Sequence, residues 1–191
     1  MRKAQSKVAK RKDALVDRLA ELIQREGFVH MSVGELAQAM RCSKSTLYSI
    51  ADTKERIILA GVRRFFARAT QKVEQHLAST DASAPERIRE YLIAISDALT
   101  PASPEFFADL DAWETTQAIY RDNTRAAAKR VQRLVDEAMP ERSDAIFIGA
   151  VAGQIMESIH RGDIEAASGL DDAAAYRHLA DLIVRGLGSA E

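Results

Sequence analysis

The chain has 191 residues, 47% of them hydrophobic and 29% charged, a balance that fits a globular protein and excludes a disordered one. No apolar run is long enough to cross a bilayer, and the basic start MRKAQSKVAKRK leads into the charged DALVDRLAELIQRE, so membrane insertion and secretion are not expected and the cytoplasm is. The net charge of −1 conceals an asymmetry: residues 1–72 hold 16 Lys+Arg against 7 Asp+Glu (+9), and residues 73–191 hold 11 against 21 (−10), the pattern of a polyanion-binding part joined to one that avoids polyanions.

Apolar residues recur at helical spacing almost throughout, and no convincing period-2 strand interrupts them. The basic tail, with Arg2, Lys3, Lys7, Lys10, Arg11 and Lys12, is expected to be a mobile segment adding nonspecific attraction; the alternative is a tail that tracks a DNA backbone or enters a minor groove. The first helix is predicted from about Lys12 to Glu26, with Leu15, Leu19, Leu22 and Ile23 on one face and Gly27 as its C-terminal cap. Ser32 and Glu35 have capping-box spacing and open a second helix, in which Val33, Leu36, Ala37 and Met40 form the inner stripe. Ser43 caps a third helix with Leu47 and Ile50 inward. Asp52 and Glu55 suggest another box before a long fourth helix, whose inner face runs through Ile58, Val62, Phe65, Phe66, Ala69, Val73 and Leu77.

After the polar loop at residues 79–84, Pro85 suits the first turn of a fifth helix ending at Leu99, and Ser103-Pro104-Glu105 starts a sixth with Phe106, Phe107, Leu110 and Trp113. A weakening between Tyr120 and Asn123 separates it from a seventh ending near Ala138. Pro140 and Ser143 introduce an eighth reaching about Arg161, and Asp171 or Asp172 begins a ninth closed by Gly186 or Gly188.

The second and third helices are both shorter than ten residues and separated by about three residues around Arg41 and Cys42, which makes a helix-turn-helix. Helices that short are marginal alone, so they must pack on the first and fourth. The third helix is then left with a free face carrying Lys44, Ser45, Thr46 and Tyr48, whose charge and hydroxyls suit phosphates and base edges in a major groove. A hairpin that binds nothing is the plainer alternative.

The stretch GFVHMSVGELAQAMRCSKSTLYSIADTKERII resembles the N-terminal signature of the tetracycline-repressor (TetR) family of bacterial transcription regulators. The matching residues are Gly27-Phe28, Ser32-Val33, Leu36-Ala37, Ser43-Lys44, Thr46-Leu47-Tyr48 and Lys54-Glu55, within about 45 residues. The resemblance implies phosphate contacts by Tyr48 and Lys54, and base or backbone contacts by Lys44, Ser45 and Ser49. Two departures bear on operator and affinity. Tyr48-Ser49-Ile50-Ala51 replaces a Tyr-x-Tyr-Phe pattern, and Met40-Arg41-Cys42 replaces Ala-Gly-Val, which asks a non-glycine residue to make the turn.

The same resemblance implies dimerisation through the last two helices. Gly149 and Gly153 lie one turn apart in the eighth, where each glycine weakens a helix by about 1 kcal/mol relative to alanine, so close approach of another helix is expected there. The expected interface is Gly149, Gly153 and Met156 with Leu179 and Ile183; close packing within one chain is the alternative. An effector pocket is expected among Phe66, Tyr91, Phe106, Trp113 and Tyr120, although aromatic residues at helical spacing are more often plain core.

Enzymatic motifs are absent: there is no phosphate-binding glycine loop, nucleophile elbow or His-Glu-x-x-His. The single cysteine, Cys42, excludes an internal disulfide and a cysteine-built zinc site. Glu157 and His160 form one Glu-x-x-His, whereas a di-iron bundle needs two such pairs and two further Glu residues on facing helices. A symmetric dimer could supply that set only in part, by bringing two pairs together. The expectation is therefore an all-α, non-enzymatic, homodimeric regulator of about nine helices that binds a palindromic double-stranded operator and an unknown small molecule, with no cofactor, metal or membrane. Residues 1–55 would form a three-helix DNA-binding domain, joined by the long fourth helix to an effector-binding and dimerisation domain, 56–191. The rival reading is a helical metal- or small-molecule-binding protein with a degenerate helix-turn-helix.

Overall fold

The computed structural model describes residues 2–141 and 144–188, and these contain ten α-helices and no strand. They are α1 (Arg2–Glu26), α2 (Val33–Ala39), α3 (Lys44–Tyr48), α4 (Lys54–Ser79), α5 (Ala84–Leu99), α6 (Pro104–Ala112), α7 (Glu114–Ala138), α8 (Ala145–His160), α9 (Asp163–Ser168) and α10 (Asp172–Gly188). Helix α1 begins ten residues earlier than its apolar stripe suggests, because residues 2–12 hold no glycine or proline and are mostly good helix formers. Thr53, not Asp52, caps α4: its hydroxyl accepts the Arg56 N–H at 3.2 Å, while Asp52 pairs with the Arg56 guanidinium at 3.0 Å. Ser143, expected to introduce α8, lies outside the described residues.

The expected break at 120–123 is not there. The chain breaks instead at Trp113, where the Thr116 hydroxyl donates to the carbonyls of Leu110 and Trp113 at 2.8 and 2.9 Å and satisfies the end of α6. Farther on, α7 runs unbroken through the polar stretch, where the Thr124 hydroxyl donates to the Tyr120 carbonyl at 3.2 Å. Helix α9 was not expected at all. It is six residues long and buries none of them, so it leaves no apolar stripe to read.

The chain forms two units: one comprises residues 1–68 with 105–119, the other 69–104 with 120–191. Helices α4 and α7 each contribute residues to both. In the first unit α1 packs on α4 so closely that a Cβ on Gly61 would stand 2.8 Å from Ile23 Cδ1. Leu19, Ile23, Leu36, Leu47, Ile57 and Ile58 are fully buried there. Asp13 and Asp17 of α1 meet Arg64 at 2.9 and 3.3 Å, and Glu21 meets Arg68 at 3.1 Å. These pairs are partly exposed and add little to stability; burial of the apolar seam does most. The second unit is built on Leu92, Val131, Leu134, Ala152, Met156 and Tyr176.

Candidate nucleic-acid interface

The hairpin is built as its sequence suggests, with one strained position. Ser32 accepts the Glu35 N–H at 3.2 Å and the Glu35 carboxylate accepts the Ser32 N–H at 2.7 Å, closing the capping box. That bond to the Ser32 backbone holds the Glu35 carboxyl below its usual range. Helix α2 ends in a Schellman motif: the Arg41 N–H bonds the Gln38 carbonyl at 3.0 Å and the Cys42 N–H bonds that of Ala37 at 2.9 Å. The motif needs a left-handed residue, and Arg41 supplies it at φ 49° where glycine is usual. From α1, the Arg18 guanidinium donates to the Met40 carbonyl and ties down the end of α2.

Ser43 opens α3 by accepting the Thr46 N–H at 3.1 Å, and its hydroxyl also meets those of Ser45 and Thr46, each at 2.8 Å. Leu47 and Ile50 are buried, so Lys44, Ser45, Thr46, Tyr48 and Ser49 are left facing water. Tyr48 is 48% exposed. The Ser49 hydroxyl donates to the Thr46 carbonyl at 2.6 Å. Lys44 lies over Gly34, where an added Cβ would stand 3.1 Å from its Cε.

Lys54, the sixth expected contact, is only partly exposed. Its ammonium donates to the Val29 carbonyl at 2.9 Å and sits 5.4 Å from the centre of the Trp113 ring. Sequence reading missed the residues that build this corner. Asp109 Oδ2 accepts the N–H groups of Phe28 and Val29 at 2.5 and 2.8 Å, just past the αL cap Gly27 at φ 73°. A Cβ on Gly27 would meet that same carboxylate oxygen at 2.7 Å. Phe28 packs on Trp113 and Phe106, with ring centres 5.2 and 6.2 Å apart, and Phe106 on Phe65 at 4.8 Å. No local pattern links residue 109 to residue 28.

The residues expected to line an effector pocket are divided. Phe66, Phe106 and Trp113 belong to the first unit, and Tyr91 and Tyr120 to the second. In the second unit Tyr120, His160 and Tyr176 form a chain on α7, α8 and α10: one hydroxyl meets Nδ1 and the other Nε2, each at 2.9 Å. Burial holds the His160 pKa down to about 4 and pushes those of Tyr91 and Tyr176 upward. With both ring nitrogens taken, His160 presents no free nitrogen to a metal. Among the described residues, no three His, Cys, Asp or Glu side chains stand close enough to hold one.

The glycines of α8 face the interior. A Cβ on Gly149 would be 2.9 Å from the Ala128 carbonyl oxygen, and one on Gly153 would be 3.1 Å from Ala128 Cβ. Their close partner is thus α7 of the same chain, and Met156, Leu179 and Ile183 are also buried within the chain. What α8 and α10 leave outside includes Ile146, Phe147 and Leu182, which are 70%, 68% and 65% exposed, and Val151 at 36%.

No family model and no curated protein matches this sequence. Solved structures do match it along nearly its whole length. A transcriptional regulator from Saccharomonospora viridis in complex with choline superposes with a TM-score of 0.73 at 16% identity, covering 92% of this chain and 96% of that one. A TetR/AcrR-family regulator from Thermobifida fusca YX-ER1 gives 0.67 at 18%, covering 93% and 98%. A TetR-like regulator from Rhodococcus sp. RHA1 gives 0.66 at 16%, covering 93% and 96%. The chain has the fold of the TetR/AcrR regulators, and among the described residues no helix is long and apolar enough to cross a membrane.

Proposed function

We propose that this protein is a cytoplasmic, non-enzymatic transcription regulator of the TetR type, a ligand-responsive repressor that binds a palindromic operator as a homodimer. The observation that carries this is the outer face of α3. Five polar or amphipathic side chains, Lys44, Ser45, Thr46, Tyr48 and Ser49, stand in water on a short helix that Leu47 and Ile50 anchor from beneath. The neighbouring N-terminus of α4 adds Lys54. Lys44 and Lys54 would neutralise phosphates, Tyr48 would donate its hydroxyl to one, and Ser45, Thr46 and Ser49 would approach base edges. The +9 charge of residues 1–72 supplies the long-range attraction.

Two copies would meet through the exposed apolar residues Ile146, Phe147 and Val151 of α8 and Leu182 of α10, which a second copy of the chain would cover. This keeps the expected helices and replaces Gly149, Gly153, Met156, Leu179 and Ile183 as the contacts. Recognition helices about 34–36 Å apart would then engage successive major grooves. An effector in the second unit, near Tyr91, Tyr120, His160 and Tyr176, would alter that separation through α4, which contributes to both units. The choline complex of the Saccharomonospora viridis structure supports a small-molecule ligand. Linkage then requires ligand and DNA to weaken each other by one factor, typically 1–3 kcal/mol.

The test is selection of duplexes from a random pool, followed by gel shifts. A palindromic consensus is expected. Lys54→Ala should weaken binding to every duplex and lower the salt slope by about 1 per lost contact, whereas Ser45→Ala should alter preference among sequences. Folded Lys44→Ala and Lys54→Ala proteins that both bind as the parent does would remove α3 and α4 from the interface.

A further inference from the structure

We infer that Trp113, far outside the helix-turn-helix in sequence, is a positioning residue for DNA binding: it holds the Lys54 ammonium ready for a phosphate. The inference rests on the DNA-binding reading above and adds a residue that neither the motif nor the fold assigns. Three contacts build the corner, all within the first unit. Asp109 accepts the Val29 N–H at 2.8 Å, the Val29 carbonyl accepts from Lys54 at 2.9 Å, and the Trp113 ring lies 5.4 Å from the same ammonium. Trp113 in turn rests on Phe28 at 5.2 Å, and the Phe28 N–H is also held by Asp109. The ring thus has a fixed backing.

An ammonium carries three N–H donors and the Val29 carbonyl takes one, so the arrangement leaves donors for an incoming anion without breaking what orients the side chain. A free lysine must give up much rotamer freedom to hold one phosphate, and the ring and carbonyl remove that freedom beforehand. The ring's electron-rich face also favours the ammonium directly. Together these effects are worth about 2–10-fold in affinity per subunit, and the square of that for a dimer.

A double-mutant cycle on a random-sequence duplex tests this, because phosphate contacts do not depend on sequence. Trp113→Leu is expected to weaken binding in the parent and to cost nothing further in a Lys54→Met background. Trp113→Tyr, which keeps a ring face, is expected to restore most of the loss. Equal losses in both backgrounds would make Trp113 a merely structural residue and overturn the inference, as would no loss in the parent. Should Trp113→Leu fail to fold, the parent carries the decision. Trp113 is the only tryptophan, so its emission should change when duplex is added to the parent and not when it is added to Lys54→Met. Unchanged emission in a parent that binds duplex overturns the inference alone. A parent that binds no duplex overturns the DNA-binding reading with it.

Discussion

Acid should loosen the second unit through one residue, His160. Its imidazole bridges the Tyr120 and Tyr176 hydroxyls, and burial lowers its pKa from about 6.5 to about 4. Protonation need not break either bond, since a charged imidazole donates from both nitrogens and a tyrosine hydroxyl can accept. The cost is the charge itself, taken out of water between α7, α8 and α10. The unfolded chain binds this proton near pH 6.5 and the folded one only near 4, so between those values the unfolded state holds more protons and stability rises with pH. The contribution is complete above about pH 6.5 and lost as pH falls through 4. At about 1.4 kcal/mol per unit it amounts to about 3–4 kcal/mol at most, against a typical total of about 5–15. Part of the residue's surface still reaches solvent, which reduces that figure. Asp172, whose carboxyl burial pushes upward, acts in the opposite sense and must be subtracted. Urea midpoints from pH 7.5 to 4.5 should therefore be compared between the parent and His160→Gln, which keeps hydrogen-bonding capacity without the titration. The parent should lose more stability on acidification by about 2–3 kcal/mol. Parallel curves, or an imidazole that titrates near 6.5 by NMR, would refute the buried neutral histidine.

Arg41→Gly should stabilise the protein by about 1 kcal/mol, because a side chain at φ 49° is strained where glycine is not; a calorimetric Tm raised by about 2–4 °C checks it. Phe147→Glu should leave the folded chain as stable as before, since the residue is already 68% exposed, yet yield a monomer in sedimentation and lower operator affinity by about 100-fold or more. A Phe147→Glu protein that stays dimeric would move the interface elsewhere.

What the sequence discloses is what one or two turns of helix can encode. The Ser32–Glu35 box, the Ser43 cap and the Gly27 stop each act within four residues, and the structure forms all three. The demand placed on a non-glycine residue at the hairpin turn is equally local, and Arg41 meets it by taking the left-handed conformation at φ 49°. Less legible was which of two helices a stripe would face. Gly149 and Gly153 correctly announced a close helix, but the spacing is the same whether that helix is α7 of one chain or α8 of another. Phe147 and Leu182, not the glycines, are the large apolar residues that α8 and α10 leave exposed for the proposed second copy to cover. α9, with no buried residue, had no periodic signal to give.

The aromatic stripe at 106, 107 and 113 was the hardest to place, and the reason bears on function. A run of large rings says that something apolar will be covered and does not say by what. Here the cover is decided by Asp109, a carboxylate that finds two backbone N–H groups about 80 residues upstream. Those groups exist because Gly27 ends α1 and turns the chain, leaving Phe28 and Val29 outside any helix with donors to satisfy. Once Asp109 occupies them, Phe106 is brought onto Phe28 and Phe65, and Trp113 onto Phe28 and Lys54. Phe106 and Trp113, two of the five rings expected to line a ligand pocket, thereby pack inside the first unit, the proposed DNA-reading part. That unit is consequently more than a hairpin with its two supporting helices: the lysine proposed to meet phosphate is held beside a ring that the motif does not contain.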